Sequence, residues 1–115
     1  MNVGKIGEDE AVKYLLENNF VIVSRNTRFG NFEIDIIANK NKLVYFIEVK
    51  TSSNKSSFAP EEYFSNKKIS NLKKAAIIFS IKTNTHPENI RFDLIAIRLS
   101  PEGYKDKLKH YEDII

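Results

Sequence analysis

The chain has 115 residues, the length of one ordinary domain, and we expect a single domain over residues 1–115. It is 42% hydrophobic and 29% charged, so it can form a core beneath a polar surface. The formal net charge of +3 is compatible with nucleic-acid binding but is too small to indicate it. The lack of cysteine excludes disulfides, thiolate metal sites and cysteine nucleophiles, and favours a cytoplasmic protein.

The histidines and the apolar runs limit the function further. Only His86 and His110 are present, so a metal site built from several histidines is not expected, and neither lies in a recognisable hydrolase triad. Any metal must therefore be held by oxygen, which favours magnesium, manganese or calcium. The longest apolar stretch, residues 75–81, is too short to cross a bilayer, so we expect no membrane partner.

The first half of the chain predicts one helix followed by strands. Residues 4–19 place their apolar side chains on one helical face. Residues 20–24 are a short apolar run typical of a strand, and residues 25–31, which contain a glycine, predict a loop or a strand edge. Residues 32–38 and 43–50 predict two further strands joined as a hairpin by an Asn-Lys-Asn-Lys connection.

The second half predicts a second helix and one more strand. Residues 51–60 are polar and serine-rich and predict a loop. A long helix follows over residues 61–82, and residues 90–99 predict a strand. Residues 104–115 are compatible with either a final strand or a short helix. The predicted order is α-β-β-β-α-β, an α/β fold in which helices flank a mixed sheet.

The hairpin brings acidic residues together. The predicted pairs, for a loop of two or four residues, are Ala38 with Leu43, Asp35 with Phe46, and Glu33 with Glu48. Since side chains two residues apart share a face, Asp35, Glu48 and Lys50 are expected on one side of the sheet. Glu33 shares that face, but its position is equally compatible with the solvated rim.

A third carboxylate comes from the first helix. At 100° per residue, Glu8 lies in the middle of the apolar stripe, which is inconsistent with a simple buried face. Burying an ionised carboxylate costs several kcal/mol, and two carboxylates about 4 Å apart repel by about 4 kcal/mol at an effective dielectric constant near 20. Lys50 alone cannot neutralise three acids, whereas a divalent cation can. The plainer alternatives are a Glu48–Lys50 strand ion pair and a solvated Glu8.

These residues carry a family resemblance. The pattern of Asp35, twelve residues, then Glu48-Val49-Lys50, behind a helix carrying Glu8, resembles the PD-(D/E)XK nuclease superfamily. More narrowly, it resembles the YraN-like family, which is related to Holliday-junction resolvases. The similar positions follow in order along nearly the whole chain: Gly7, Glu8, Ala11, Arg25, Asn26, Arg28, Glu33, Ile34, Asp35, Glu48, Val49, Lys50, Thr51, Lys68, Leu72, Ala76, Arg91, Phe92 and Asp93. The resemblance implies a restriction-endonuclease-like three-layer core.

The resemblance also implies roles for the acids and the lysine. Asp35 and Glu48 would hold Mg²⁺ or Mn²⁺, with the Val49 carbonyl as a further ligand and Glu8 acting directly or through water. Lys50 would orient the attacking water or stabilise the phosphoryl oxygens. The implied activity is metal-dependent endonuclease hydrolysis of DNA phosphodiester bonds, with branched and damaged DNA among the candidate substrates.

Several basic residues are candidates for contacts to the nucleic-acid backbone: Lys68, Arg25, Arg28 and Lys55. Each alone is also compatible with an ordinary surface charge, and Lys68 with a lysine that extends from the edge of the core. Arg91 and Asp93 lie on one face of a strand and are interpreted as a structural pair.

Two other functions compete with the nuclease. The same scaffold could bind nucleic acid with little or no cleavage, which would give salt-sensitive DNA binding without turnover. Alternatively, the carboxylates could hold a structural ion, which would give ion binding without DNA affinity. The retained lysine, two residues after Glu48, favours the nuclease. The resemblance also allows a homodimer, because junction-cutting relatives act as dimers.

Overall fold

A computed structural model describes residues 2–53 and 64–115 of the chain. Five strands form one sheet in the order β1-β2-β3-β4-β5, in which β3 and β4 are parallel and the other neighbours are antiparallel. The α/β class, with a mixed sheet and flanking helices, is thereby confirmed. The elements are α1 (Val3–Glu17), β1 (Val21–Phe29), β2 (Phe32–Lys40), β3 (Leu43–Ser52), α2 (Asn66–Thr83), β4 (Ile90–Leu99) and β5 (Lys105–Tyr111).

Side-chain hydrogen bonds cap the first turn of each helix. The Asn2 side chain accepts a hydrogen bond from the Lys5 amide at 3.0 Å and begins α1. The Ser65 hydroxyl does the same for the Lys68 amide and begins α2, later than the predicted start at residue 61. Helix α2 ends at Asn84, whose left-handed φ of 54° is tolerated well by asparagine.

The turn between β2 and β3 lies one residue later than the two-residue turn that the sequence predicts at Lys40-Asn41. Lys40 pairs with Leu43, so the predicted pairing of Ala38 with Leu43 is wrong by two residues. The turn residues Asn41 and Lys42 have φ values of 51° and 67°, the positive values of a type I′ turn, which matches the twist of the flanking strands. A shift of two residues leaves every side chain on its predicted face.

The edges of the sheet also differ from the prediction. Strand β1 continues to Phe29, because its residues pair with β2 through the stretch that the sequence assigned to a loop or strand edge. A register shift between Ile22 and Ser24 marks an irregularity in this pairing. At the opposite edge, the ambiguous C-terminal segment forms strand β5, antiparallel to β4.

A helix covers each face of the sheet. Successive residues of β3 alternate between two buried clusters: Phe46 packs with Leu72 of α2, and Ile47 packs with Ala11 and Leu15 of α1. Both faces of β3 are therefore covered, as its apolar sequence predicts. Within residues 2–53 and 64–115, no helix is long and apolar enough to cross a membrane.

Gly7 lets the first helix approach the third strand. A Cβ atom added to Gly7 would clash with the side chain of Thr51 near the end of β3. Only glycine allows this spacing, because the helix and the strand meet without an intervening side chain. The close contact brings the next residue of α1, Glu8, toward the end of β3, where Glu48 and Lys50 lie.

Candidate functional site

The site begins where β2 and β3 separate. Their described pairing ends one residue short of Asp35 and Glu48. Beyond that point, Asp35 Oδ2 accepts a hydrogen bond from the Val49 amide at 2.8 Å, so the carboxylate replaces the partner that a continued strand would supply. Glu48 and Lys50 flank Val49 in sequence. One strand end therefore gathers two acids and a lysine.

Asp35 lies in a negative environment. Burial, followed by the charge of Glu48, raises the pKa of Asp35 from 3.8 to about 6, and the charge of Glu8 adds to the effect. The Val49 amide and the Lys68 ammonium lower this pKa but do not offset the rise. The three predicted carboxylates are therefore close enough to interact, and the ionised form of Asp35 is disfavoured.

Lys68 of α2 lies beside Glu48. Its Nζ is 2.7 Å from Glu48 Oε1, and both side chains are mostly buried. The same ammonium lies 5.8 Å from the centre of the Phe64 ring, close enough for a cation–π contact. Lys68 is thus an ion-pair partner inside the predicted site, and Glu48 extends toward the α2 side of the sheet.

Glu8 is held from the other side by β1. Its Oε1 atom accepts hydrogen bonds from Arg25 Nε at 2.9 Å and Asn26 Nδ2 at 3.0 Å. Arg25 also bonds Asp9 at 2.6 Å, which lowers the pKa of Asp9 and raises that of Arg25. The guanidinium predicted to contact nucleic acid is therefore engaged with α1, where it fixes one oxygen of Glu8.

The other predicted nucleic-acid contacts are less closely tied to the site. Arg28 is exposed and lies 3.8 Å from Glu33, which is itself exposed. This position favours the solvated-rim interpretation of Glu33. Lys55 lies outside the described residues.

A cavity of about 290 Å³ opens where these elements meet. The predicted residues Glu8, Asp35 and Lys50 line it, whereas Glu48 is not among the lining residues and pairs with Lys68. Such a cavity is large enough for a hydrated ion and a phosphate group. Its lining residues are Gly4, Glu8, Asp35, Val49, Lys50 and Thr51.

The spacing of the acids decides which ion they could hold. In the described part of the chain, a group of three ligand atoms that all lie within 4.8 Å of one another is formed by Asp93, His110 and Glu112. The three predicted acids, Glu8, Asp35 and Glu48, are not as close together. Magnesium usually binds one or two carboxylates and keeps several waters. The open arrangement of Asp35 and Glu48 is compatible with that mode, with Glu8 in an outer position.

Comparison with known proteins places the chain in a family. The sequence model of the family described as "Uncharacterised protein family UPF0102" matches residues 7–97. The chain belongs to the UPF0102 family. A UPF0102 protein of Dictyoglomus turgidum is 40% identical over 101 residues, which cover 88% of this chain and 86% of the relative. Another, of Flavobacterium johnsoniae, is 35% identical over 114 residues, which cover 96% and 91%.

The family match confirms the narrower part of the predicted resemblance, because UPF0102 corresponds to the YraN-like family. A further UPF0102 protein, of Bacteroides fragilis, is 41% identical over 95 residues, covering 83% of this chain and 78% of the relative. The matched region contains Glu8, Asp35, Glu48, Lys50 and Lys68. The whole candidate site therefore lies within the part of the chain that defines the family.

Sequence reasoning missed a second polar cluster. Asp93 is buried and bonds His110 Nε2 at 2.7 Å, and Tyr14 bonds His110 Nδ1 at 2.9 Å. The predicted Arg91–Asp93 pair is wrong, because Arg91 instead donates to the Glu88 carbonyl at 2.6 Å. One signal was available: an aspartate inside the apolar strand at residues 90–99 indicates that a polar partner lies beside it.

Proposed function

We propose that this UPF0102 protein is a divalent-metal-dependent endonuclease of the PD-(D/E)XK type that hydrolyses phosphodiester bonds in DNA. One observation carries the proposal: the β2–β3 ladder ends beside Asp35 and Glu48, and Lys50 lines the same cavity as Asp35. An acid pair that can hold a cation, with a neighbouring lysine that can stabilise charge on the phosphate, is a set that can support metal-assisted phosphodiester hydrolysis.

The donor atoms fit a hard cation. Asp35 and Glu48 offer carboxylate oxygens, and Val49 offers its backbone carbonyl between Glu48 and Lys50 in sequence. Burial, followed by the charges of Glu48 and Glu8, raises the pKa of Asp35, and a bound cation would stabilise its ionised form. Bound there, Mg²⁺ or Mn²⁺ would supply a polarised water and stabilise negative charge on the phosphate.

The lysines supply the remaining charges. Lys50 lies on the cavity wall, where its ammonium can hold the attacking water or a phosphoryl oxygen. Lys68 neutralises Glu48 in the metal-free protein, and the same ammonium can reach an anion at the rim of the site. Arg25 keeps Glu8 oriented through its Oε1 atom. Arg28 and Lys55 remain candidates for contacts to the backbone of DNA.

A catalytically silent nucleic-acid-binding module is the second candidate. The observation that favours it is that Glu8 and Glu48 already have cationic partners, Arg25 and Lys68. Acids neutralised in this way would repel DNA less, even without a metal. This alternative predicts salt-sensitive DNA binding that does not require a divalent cation and produces no cleavage.

The test is a cleavage assay on linear, flapped and four-way DNA substrates, with Mg²⁺, Mn²⁺ or EDTA. The wild-type protein should cut at least one substrate only when the metal is present. Glu48→Gln should lose that activity, whereas Glu88→Gln, an exposed acid before β4, should retain it. Cleavage by the wild type and Glu48→Gln at equal rates would indicate a contaminating nuclease.

Binding measured on the same substrates separates the two candidates. DNA affinity in EDTA without turnover in any metal would favour the binding module. Neither binding nor cleavage would contradict both candidates. Light scattering of the protein alone and on four-way DNA checks the homodimer that the resemblance allows.

A further inference from the structure

A second group of metal-ligand side chains lies at the other side of the sheet. Strands β4 and β5 pair Leu94 with Tyr111 and Ile95 with His110. Asp93 therefore shares the face of Ile95 and His110, and the next position of the register places Glu112 opposite Asp93. Because Ile95 packs in the α1-side core, all three ligand candidates converge beneath α1.

The ligand atoms of this group are close together. One atom from each of Asp93, His110 and Glu112 lies within 4.8 Å of the other two. Asp93 is fully buried, the His110 side chain is 8% exposed, and Glu112 is exposed, so the group is closed on one side and open to solvent on the other. A cation could therefore enter past Glu112.

The surrounding bonds orient the two buried ligands. The Tyr14 hydroxyl bonds His110 Nδ1 at 2.9 Å, and the Asp113 amide donates to Asp93 Oδ1 at 2.9 Å. These bonds direct the remaining atoms, His110 Nε2 and Asp93 Oδ2, toward each other at 2.7 Å. Metal-binding histidines are commonly held in this way, with the second ring nitrogen bonded to another polar group.

The backbone on both sides of Glu112 is also held. The Asp113 amide bonds Asp93, and the Ile114 amide bonds the Phe92 carbonyl at 3.0 Å. Glu112 therefore projects from an anchored segment although its side chain is exposed. Its carboxylate can turn inward without displacing the strand.

The charge around the cluster is unbalanced. Two of its three side chains, Asp93 and Glu112, are acids. Arg91 does not form an ion pair with Asp93 but donates to the Glu88 carbonyl at 2.6 Å. The cluster thus combines one imidazole with two acids that Arg91 does not neutralise.

We propose that Asp93, His110 and Glu112 form a second cation site, suited to a first-row divalent metal such as Zn²⁺. One imidazole nitrogen and two carboxylates form a three-ligand set that leaves a position for water. Neighbouring ligands of tetrahedral Zn²⁺ lie about 3.3 Å apart, so the 2.7 Å contact between Asp93 and His110 must widen by about 0.6 Å. The metal would fasten the C-terminal segment to β4 and, through Tyr14, to α1.

This site is independent of the proposed nuclease function, and the test keeps the two apart. Calorimetric titration with Zn²⁺ is made in excess Mg²⁺ on full-length protein carrying Asp35→Asn and Glu48→Gln, which disable the first site. We expect one Zn²⁺ per chain and, at saturation, a rise in the unfolding temperature of about 5 °C or more.

Variants of exposed residues locate the ion without unfolding the chain. Glu112→Gln should weaken Zn²⁺ binding at least 10-fold, whereas Glu102→Gln, an exposed acid in the β4–β5 turn, should leave it unchanged. Tyr14→Phe, which removes the bond to His110, should weaken binding about 10-fold. His86→Gln controls for binding at the other histidine and should have no effect.

Two results would overturn the proposal. The first is the absence of stoichiometric Zn²⁺ binding, which would leave Tyr14, His110 and Asp93 as a hydrogen-bonded structural chain. The second is Zn²⁺ binding that is equally tight in the Glu112→Gln variant and in the Glu102→Gln control. With Co²⁺ as the probe, paramagnetically shifted ring protons of His110 would support the proposal directly.

Discussion

The two acidic clusters of the sheet, around Asp35 and around Asp93, lie in different surroundings. Asp35 borders an open cavity at the point where β2 and β3 separate, and its acidic neighbour Glu48 forms an ion pair with Lys68. Asp93 is buried beneath α1 and bonds an imidazole, His110. We call the group around Asp35 the open cluster and the group around Asp93 the closed cluster. The open cluster can admit a hydrated ion and an anionic substrate, whereas the closed cluster is better suited to holding the fold together.

The sharpest way to break this comparison is to remove Lys50, which lines the cavity beside Asp35. Lys50→Ala should lower the rate of DNA cleavage by about 10²–10³-fold, because one donor to the developing charge is lost. The apparent Mg²⁺ affinity should change little, since Lys50 is not a ligand. Single-turnover cleavage across a Mg²⁺ series measures both quantities.

The control for this variant is Lys73→Ala, an exposed lysine of α2. Its cleavage rate should match that of the wild type. Full activity of the Lys50 variant would exclude the role assigned to this lysine.

The approach of α1 to β3 can be tested at Gly7. Helical Gly→Ala changes usually stabilise by about 0.5–1 kcal/mol, but the added Cβ here clashes with Thr51, so Gly7→Ala should destabilise by about 1–3 kcal/mol. Gly4→Ala in the same helix adds a Cβ at an ordinary 3.7 Å from Asn2 and should stabilise. Urea denaturation measures the change in the free energy of unfolding for each variant. If Gly7→Ala stabilised the protein as Gly4→Ala does, the close contact between Gly7 and Thr51 would be contradicted.

The burial and the acidic neighbours of Asp35 predict that neutralising this side chain raises the free energy of unfolding, by an amount that depends on pH. Folding raises the pKa of Asp35 from 3.8 to about 6, so the folded state favours the protonated form. The wild type loses stability as the pH rises from about 4 through about 6, whereas Asp35→Asn keeps the Val49 hydrogen bond without the charge. In EDTA the variant should be more stable by about 1–2 kcal/mol at pH 7, a value reduced for partial exposure.

The same comparison at low pH provides the control. Below about pH 3 the Asp35 carboxyl is mostly protonated in both states, and the difference in the free energy of unfolding should largely vanish. A constant difference across the whole pH range would show that charge is not the cause. A less stable variant at pH 7 would contradict the assigned environment.

Loss of the hydrogen bond between Tyr14 and His110 in the closed cluster should lower the free energy of unfolding. Tyr14→Phe removes the donor or acceptor at His110 Nδ1 and should cost about 1 kcal/mol in metal-free protein. DNA cleavage should be unchanged, because Tyr14 lies about 9 Å along α1 from Glu8 and its hydroxyl contacts His110. Urea denaturation and the cleavage assay check the two statements separately, and a loss of cleavage at unchanged stability would contradict the separation of the clusters.

The sequence predicts strands better than it predicts how they meet. Strand β4 has the predicted limits, because its apolar run is continuous and bounded by polar residues. The hairpin register differs by two residues, because the connection contains two asparagines and either could occupy the turn. The local sequence does not distinguish them; the pairing that completes the sheet does.

The residues of the candidate site show the same difference between what the local sequence predicts and what depends on the tertiary structure. The alternation of side chains along a strand was enough to place Asp35, Glu48 and Lys50 on one face of the sheet. The position of Glu8 on the apolar face of the first helix was enough to add it to the group. The partners Arg25 and Lys68 required the tertiary arrangement, since they come from β1 and α2 and are 17 and 20 residues away from Glu8 and Glu48. The bond between Asp93 and His110 depends on β5, whose element type the sequence left open.

The central claim is that Asp35 and Glu48 bind the same cation. Mn²⁺ affinity, measured by electron paramagnetic resonance for the wild type, Asp35→Asn, Glu48→Gln and the double variant, tests it most directly. A shared ion predicts that each single change weakens binding at least 10-fold and that the double change weakens it by less than the product of the two. Unchanged affinity in either single variant, or losses that multiply fully, would contradict the claim.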